Sequence, residues 1–463
     1  EDVNECWIAD RDRFSYEALA SEERLMHPML KQGGEWAEVD WQTALEYVAN
    51  GLRCIQKEQG AQSIGALVSP HSTLEELYLA GALVRGLGSS NIDHRLRHAD
   101  FTAPEGVRWL GRSIASLSTL QSVLVVGSSL RKDHPLFAQR IRQAARKGCT
   151  VMAIDAVARD WAMPVAQTLL AAPGAWAHAL ADVAAVVAQE KGVTAPVNEG
   201  RSDNETARAI ALALLSGEHK AVLLGNAAAH HAQATSLLAL ANWIGAQTGA
   251  TVGYLTEAAN TVGAQWVDAM PGKGGLNAAQ MLEGGLKGLF LLNNEPVYDS
   301  AAGAQAVAAL SKVDMVVTLS PFKTNMEFSD VLLPIAPFTE TSGSFVNAEG
   351  LLQSFHAVVR PLGETRPAWK VLRVLANLMD LPGFDFETSQ DVLSKATGAS
   401  AGLVNAVPAE RLGNATQVTP HVATGAVAEP VVASIYQLDG LVRRASSLQL
   451  TADARLAREG ASA

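Results

Sequence analysis

The segment Ser122–Asp155, SVLVVGSSLRKDHPLFAQRIRQAARKGCTVMAID, decides the fold. Its two ends, "SVLVVG" (Ser122–Gly127) and "CTVMAID" (Cys149–Asp155), are continuous apolar runs, and between them lie a polar loop and one amphipathic stretch. An uninterrupted apolar strand has both faces buried, which happens when helices cover a parallel sheet on each side. The same rhythm recurs at "IGALVS" (Ile64–Ser69), "AVLLG" (Ala221–Gly225), "GLFLLN" (Gly288–Asn293), "VDMVVTLS" (Val313–Ser320) and "VLLPI" (Val331–Ile335). So many strands call for an α/β protein with two doubly wound, mostly parallel sheets. At 463 residues the chain is also too long for one ordinary domain. Asp40 stands where it can cap a helix whose apolar positions Trp41, Ala44, Leu45, Val48 and Leu52 follow the helical period.

Composition excludes several classes. Lys and Arg total 36 against 47 Asp and Glu, a net charge of −11, and no basic stripe offers a surface to nucleic acid. No apolar run approaches the ~20 residues of a membrane span and nothing reads as a signal peptide, so a cytoplasmic or other reducing setting is expected. The three cysteines, Cys6, Cys54 and Cys149, form no CxxC pair, whereas an iron–sulfur cluster takes four ligands and structural zinc a tight Cys/His set. They read as small buried hydrophobes.

Ligands of open α/β sheets bind where loops leave the carboxyl ends of strands. "GSSLRKDHP" (Gly127–Pro135) is such a loop, with Ser128 and Ser129 able to present phosphate contacts, but it carries no GxGxxG fingerprint. His230 and His231 are adjacent, a poor metal pair, and read as capping or packing residues. "PGKGGLNAAQML" (Pro271–Leu282) lacks P-loop spacing and reads as a loop ahead of a helix. No GxSxG or HExxH pattern is present. In "TETSGSFVNAEGLLQSF" (Thr339–Phe355), which holds Glu340, Asn347 and Glu349, the runs "SFVN" and "LLQSF" joined by "AEG" read as a hairpin. From these residues alone there is no catalytic, cofactor-binding or metal residue to name.

Three segments together resemble the molybdopterin oxidoreductase family: "RLMHPMLKQGGEWAEVDWQTALEYVANGL", "SVLVVGSSLRKDHPLFAQRIRQAARKGCTVMAID" and "SDVLLPIAPFTETSGSFVNAEGLLQ". The resemblance runs from about Asp2 to Asp380 and implies the fold of that family's formate dehydrogenase/DMSO reductase members. The departures are chemical. "NIDHRLRHADF" (Asn91–Phe101) places Ala99 where active members carry a cysteine or serine ligand to the metal, with His94 and His98 as the nearest donors. "DAV" (Asp155–Val157) stands for "DPR", Leu351 replaces the arginine after "EG", and no room for the closing β-barrel is expected in the final residues.

Both ends, "EDVNECWIADRDRFSYEAL" and "YQLDGLVRRASSLQLTADA", resemble the large iron–sulfur subunit of NADH–quinone oxidoreductase, respiratory complex I. That resemblance implies residues 1–36 as the end of a missing N-terminal portion carrying [2Fe-2S] and [4Fe-4S] clusters. It implies a first α/β domain at 37–115 plus 285–390, a second inserted at 116–284, and a peripheral tail at 391–463 ending in a docking segment. The implied role is a scaffold with a vestigial pocket and no cofactor in this chain. Its partners would be the other peripheral-arm subunits, and it would lie in the cytoplasm at the inner face of the bacterial plasma membrane, touching membrane only through the complex. The rivals are a catalytic molybdopterin oxidoreductase with an unusual metal ligand and a free-standing nucleotide-binding module.

Overall fold

The structure is a computed structural model; it describes residues 6–461 except Ala401 and Thr424. The first five residues of the opening segment therefore lie outside the described residues. In chain order the strands are β1 (Met29–Gln32), β2 (Glu35–Glu38), β3 (Ile64–Val68), β4 (Asn91–Asp93), β5 (Ser122–Val126), β6 (Thr150–Asp155) and β7 (Gln167–Leu170). There follow β8 (Lys220–Leu224), β9 (Thr251–Tyr254), β10 (Gly288–Leu292), β11 (Met315–Ser320), β12 (Val331–Pro334), β13 (Gly343–Val346) and β14 (Leu352–Phe355). They make a seven-stranded sheet, β2-β1-β12-β11-β10-β3-β4, a five-stranded sheet, β7-β6-β5-β8-β9, and the hairpin β13-β14. The five-stranded sheet is parallel throughout, and in the larger one only the β1–β2 and β1–β12 pairs are antiparallel.

Side-chain alternation explains why the strands read as continuous apolar runs. In β10, Phe290 and Leu292 join the core with helices Trp41–Gln59, Leu74–Gly86 and Ala368–Leu378, while Leu289 and Leu291 pack against Ala278–Glu283 and Gln305–Leu310. In β5, Leu124 and Val126 face Trp176–Lys191 and Ala234–Thr248, while Val123 and Val125 face Pro135–Arg146. Each buried aliphatic side chain contributes about 1.5–3 kcal/mol, so both sheets are clamped on two faces. Asp40 caps its helix by accepting from Thr43 N–H at 2.8 Å.

Three expectations about organisation need adjusting. The hairpin β1–β2 straddles the break expected at residue 36 and forms the edge of the seven-stranded sheet, where β1 pairs with β12. Ahead of it, Arg24 makes a buried two-pronged ion pair with Glu340, at 2.8 and 2.9 Å. The tail is not wholly peripheral: Leu352 N–H donates to Asn405, Val407 N–H to Gly350, and Val107 bridges Leu412, so Val407 joins the main core and Leu412 packs against it. Of the cysteines only Cys149 is buried; Cys6 and Cys54 are exposed, and Cys54 bonds Glu58 across one helical turn.

The segment 339–355 folds as read. β13 and β14 pair antiparallel from Gly343–Phe355 to Val346–Leu352. Asn347 Oδ1 accepts from the N–H groups of Glu349 and Leu351, closing the turn, and Gly350 takes φ +91°. Only glycine holds that backbone without strain.

Candidate functional site

Because β3, β10 and β11 run parallel, their following loops emerge at one edge of the sheet. Asn294 Nδ2 ties two of these strands by donating to Leu67 O at 2.6 Å, and Asn325 Nδ2 donates to Asn294 O at 3.0 Å. This lattice aims two acids into the crevice: Glu295, just after β10, and Asp299, on the short helix Pro296–Asp299. Both are buried, at 5% and 4% exposure. Two buried carboxylates need cationic partners.

The partners arrive from residue 443 onward. Arg443 Nη1 and Nη2 donate to the two oxygens of Asp299 at 2.8 and 3.2 Å. Arg444 Nη1 donates to Glu295 Oε1 at 2.6 Å and its Nε to Glu23 at 2.6 Å. Their guanidinium planes lie over rings, Arg443 at 5.2 Å from Tyr298 and Arg444 at 4.4 Å from Phe322. The short helix Gly440–Arg444 that carries them starts at Asp439, which accepts from Leu441 and Val442 N–H. Burial opposes the charged form of Arg443, yet Asp299 and Glu295 outweigh it and hold the proton more tightly than usual.

A second crevice lies where the carboxyl ends of the two sheets face each other. Arg97 spans it, donating to Glu257 at 2.6 Å and Asp299 at 3.2 Å. Glu257 in turn sits 3.2 Å from His230 Nε2, whose Nδ1 meets Val431 O at 2.8 Å. Burial works against ionised Glu257, but His230 and Arg97 hold its carboxylate well below the usual range. Burial pushes the His98 imidazole well below its ordinary value, and His230 adds to the effect, so His98 is neutral. What remains open is a cavity of about 110 Å³ lined by His94, His98, Asn226, His230, Leu238 and Glu257 among others. Ligand pockets run at roughly 300–1,000 Å³, so this space suits a small ring or a few waters.

The residues singled out in the sequence fall as follows. Ala99 is exposed and contributes only its N–H, to His230 O. His94 Nδ1 is occupied by Ala269 O. Ser129 N–H is taken by Asp133 at 3.1 Å, which removes the amide a phosphate would need, and Ser128 is buried. Burial pushes the Asp133 carboxyl up to about 6. His231 accepts from Gln233 N–H and faces Pro173 O, and His230 faces Glu257; the pair does not converge. The loop from Pro271 leads into the helix Ala278–Glu283, whose first N–H donates to Asp93. Glu340 is spent on Arg24, and Glu349 accepts from Ile114 N–H. Among the described residues, no group of three or more His, Cys, Asp or Glu side chains is placed to hold a metal ion.

The family model described as molybdopterin oxidoreductase matches residues 24–378. The chain belongs to the molybdopterin oxidoreductase family. It is 25% identical to "Probable oxidoreductase YjgC" of Bacillus subtilis (strain 168), covering 84% of this chain and 47% of the relative. It is 24% identical to "Putative formate dehydrogenase SAB2186c" of Staphylococcus aureus (strain bovine RF122 / ET3-1), over 85% of this chain and 47% of the relative. The chain thus spans about half the length of the curated relatives it matches. Acetylene hydratase from Pelobacter acetylenicus shares the fold with a TM-score of 0.58 at 15% identity, covering 83% of this chain and 66% of that one. Among the described residues no helix is long and apolar enough to cross a membrane.

The family implies a metal–pterin group, and three features of this edge are unfavourable to one. Ala99, where the resemblance places a metal ligand, offers no side-chain donor, the amide of Ser129 is engaged by a carboxylate, and the helix Gly440–Arg444 occupies part of the larger sheet's crevice, leaving a cavity of about 60 Å³ beside Glu295. The residues that organise this edge, Glu295, Asp299, Glu257, Arg97, Arg443 and Arg444, were not singled out in the sequence. A local signal existed: "NNEPVYDS" sets two acids four apart directly after a strand, and "LVRRA" sets two arginines on a short apolar segment. Nothing local connects the two, since 144 residues separate Asp299 from Arg443.

Proposed function

We propose that this molybdopterin oxidoreductase-family chain is a partner-binding scaffold of NADH–quinone oxidoreductase, holding no cofactor of its own. The observation that carries the reading is the arginine-filled crevice at the carboxyl ends of β10 and β11, together with Ala99 at the ligand position. Two features of the ends support it. The segment Asp10–Ala20 packs on residues 440–449, with Glu17 accepting from Ser446 and Ser447, so both ends that resemble the complex I subunit form one surface. On that surface Trp7, Ile8, Tyr16 and Leu450 are exposed, an apolar content suited to neighbouring subunits. Electron transfer would then belong to other segments and subunits.

The names of the relatives favour a second reading, a catalytic molybdopterin oxidoreductase. They speak of an oxidoreductase and of formate dehydrogenases, and none of those given above speaks of complex I. The two readings separate in one preparation. The protein, tagged at its natural locus and purified in mild detergent, should co-migrate on a native gel with NADH–quinone reductase activity. Migration alone with formate-dependent dye reduction would replace the scaffold reading by the catalytic one.

A further inference from the structure

The chemistry around residues 443 and 444 is more specific than a filled gap. Glu295 and Asp299 are buried carboxylates from one sheet edge, and Phe322 and Tyr298 are ring faces from the same edge. Arg443 makes a two-pronged contact with Asp299 and also places its Nε 3.4 Å from Glu295; Arg444 divides its fork between Glu295 and Glu23. Both arginine side chains are nearly enclosed, at 7% and 10% exposure. A planar fork that can pair with carboxylates and stack on rings at once describes a guanidinium; an ammonium ion matches the charge but neither geometry.

We propose that the carboxyl-end crevice of β10 and β11 is a guanidinium-binding site whose resident ligand is the chain's own Arg443–Arg444 pair. The site holds residues 436–449 down as a strap. Arg444 couples the strap to the amino-terminal segment through Glu23, and Lys132, on the five-stranded sheet's side, pairs with Asp453 beyond it at 2.5 Å. Asp439, facing His71 at 3.6 Å, fixes the angle at which the two arginines enter. The inference does not rest on the complex I reading; an enzyme of this family with the same strap would carry the same site.

The test is chemical rescue in the whole chain. Amide hydrogen exchange of residues 439–449 is followed in the native protein and in Arg444→Ala. Exchange should rise about tenfold to a hundredfold in the variant, since Glu295 keeps only the 3.4 Å contact with Arg443 Nε and an under-compensated buried carboxylate favours local opening. Millimolar N-ethylguanidinium should restore protection in the variant, and ethylammonium at the same concentration should not. Unchanged exchange in Arg444→Ala, or equal restoration by both cations, overturns the proposal. If Arg444→Ala does not fold, Arg444→Lys takes its place: faster exchange despite the retained charge supports the site, and native protection overturns it. The readout is indifferent to metal content, so its failure is distinguishable from failure of the scaffold reading.

Discussion

Replacing Arg24 by methionine should be among the most damaging single changes in this chain. Arg24 and Glu340 are 2% and 3% exposed at their side chains and joined by two hydrogen bonds, 2.8 and 2.9 Å long. Arg24 also donates to Leu19 O, and Glu340 also accepts from Leu362 N–H. Removing the cation leaves Glu340 charged in a place water does not reach. Breaking a buried pair from one side costs about 3–5 kcal/mol. The cost is asymmetric: Leu19 O loses its donor in the single and double variants alike, and removing Glu340 as well adds only the unpartnered Leu362 N–H, at about 1–3 kcal/mol, in place of the unpaired carboxylate. Arg24→Met/Glu340→Leu should therefore be more stable than Arg24→Met alone. The assay is urea unfolding followed by tryptophan fluorescence for both single variants, the double variant and the native protein. A loss below about 1 kcal/mol in Arg24→Met, or strictly additive effects across the cycle, would refute the reasoning.

Other expectations are simpler. Gly350→Val should destabilise by about 1 kcal/mol or more, because residue 350 holds φ +91° with Leu412 Cδ1 3.3 Å from where a Cβ would stand; an unchanged melting temperature would contradict this. Burial pushes the Glu76 carboxyl up to about 7 against an ordinary 4.5, with neighbouring Glu75 adding to the rise. A raised carboxyl binds its proton more tightly when folded, so its stabilising share is present below pH 4.5 and is lost as pH climbs through 7. Glu76→Gln can still accept from Thr73 N–H, so relative to the native protein it should gain about 1–3 kcal/mol at pH 8 and nothing at pH 4; an equal effect at both pH values would sink the idea. Asp40→Ala should cost about 1 kcal/mol through loss of the cap on the helix Trp41–Gln59, measured by thermal unfolding; a shift within error would mean that tertiary packing alone holds that helix end.

The strands that were legible in the sequence are those buried on both faces. β3, β5, β6, β8, β10, β11 and β12 are apolar almost throughout, so pattern and burial coincide. The strands not read from the sequence lack that agreement. β2 is "EWAE", a largely exposed edge, β4 is only three residues, and β9 opens on an exposed threonine. The hairpin was readable because its turn chemistry is local: Asn347 and Gly350 sit inside it. The tail's anchors were not legible because they are distant, Arg443 to Asp299 and Arg444 to Glu295, and a short segment reveals nothing about where its charges go. Likewise Ala99 could be noticed as a missing donor, but the cluster of Arg97, Glu257 and His230 that organises the neighbouring space comes from two loops and the end of the short helix Asn226–His230.

This chain keeps the family's fold, and we propose that it leaves no place for the family's metal. Elemental analysis tests it most directly, on protein purified from a host that makes the molybdenum and tungsten cofactors, with an absorption spectrum of the same sample. The account predicts neither metal above background and no pterin absorption. Molybdenum or tungsten near one atom per chain would contradict it and establish the catalytic reading instead.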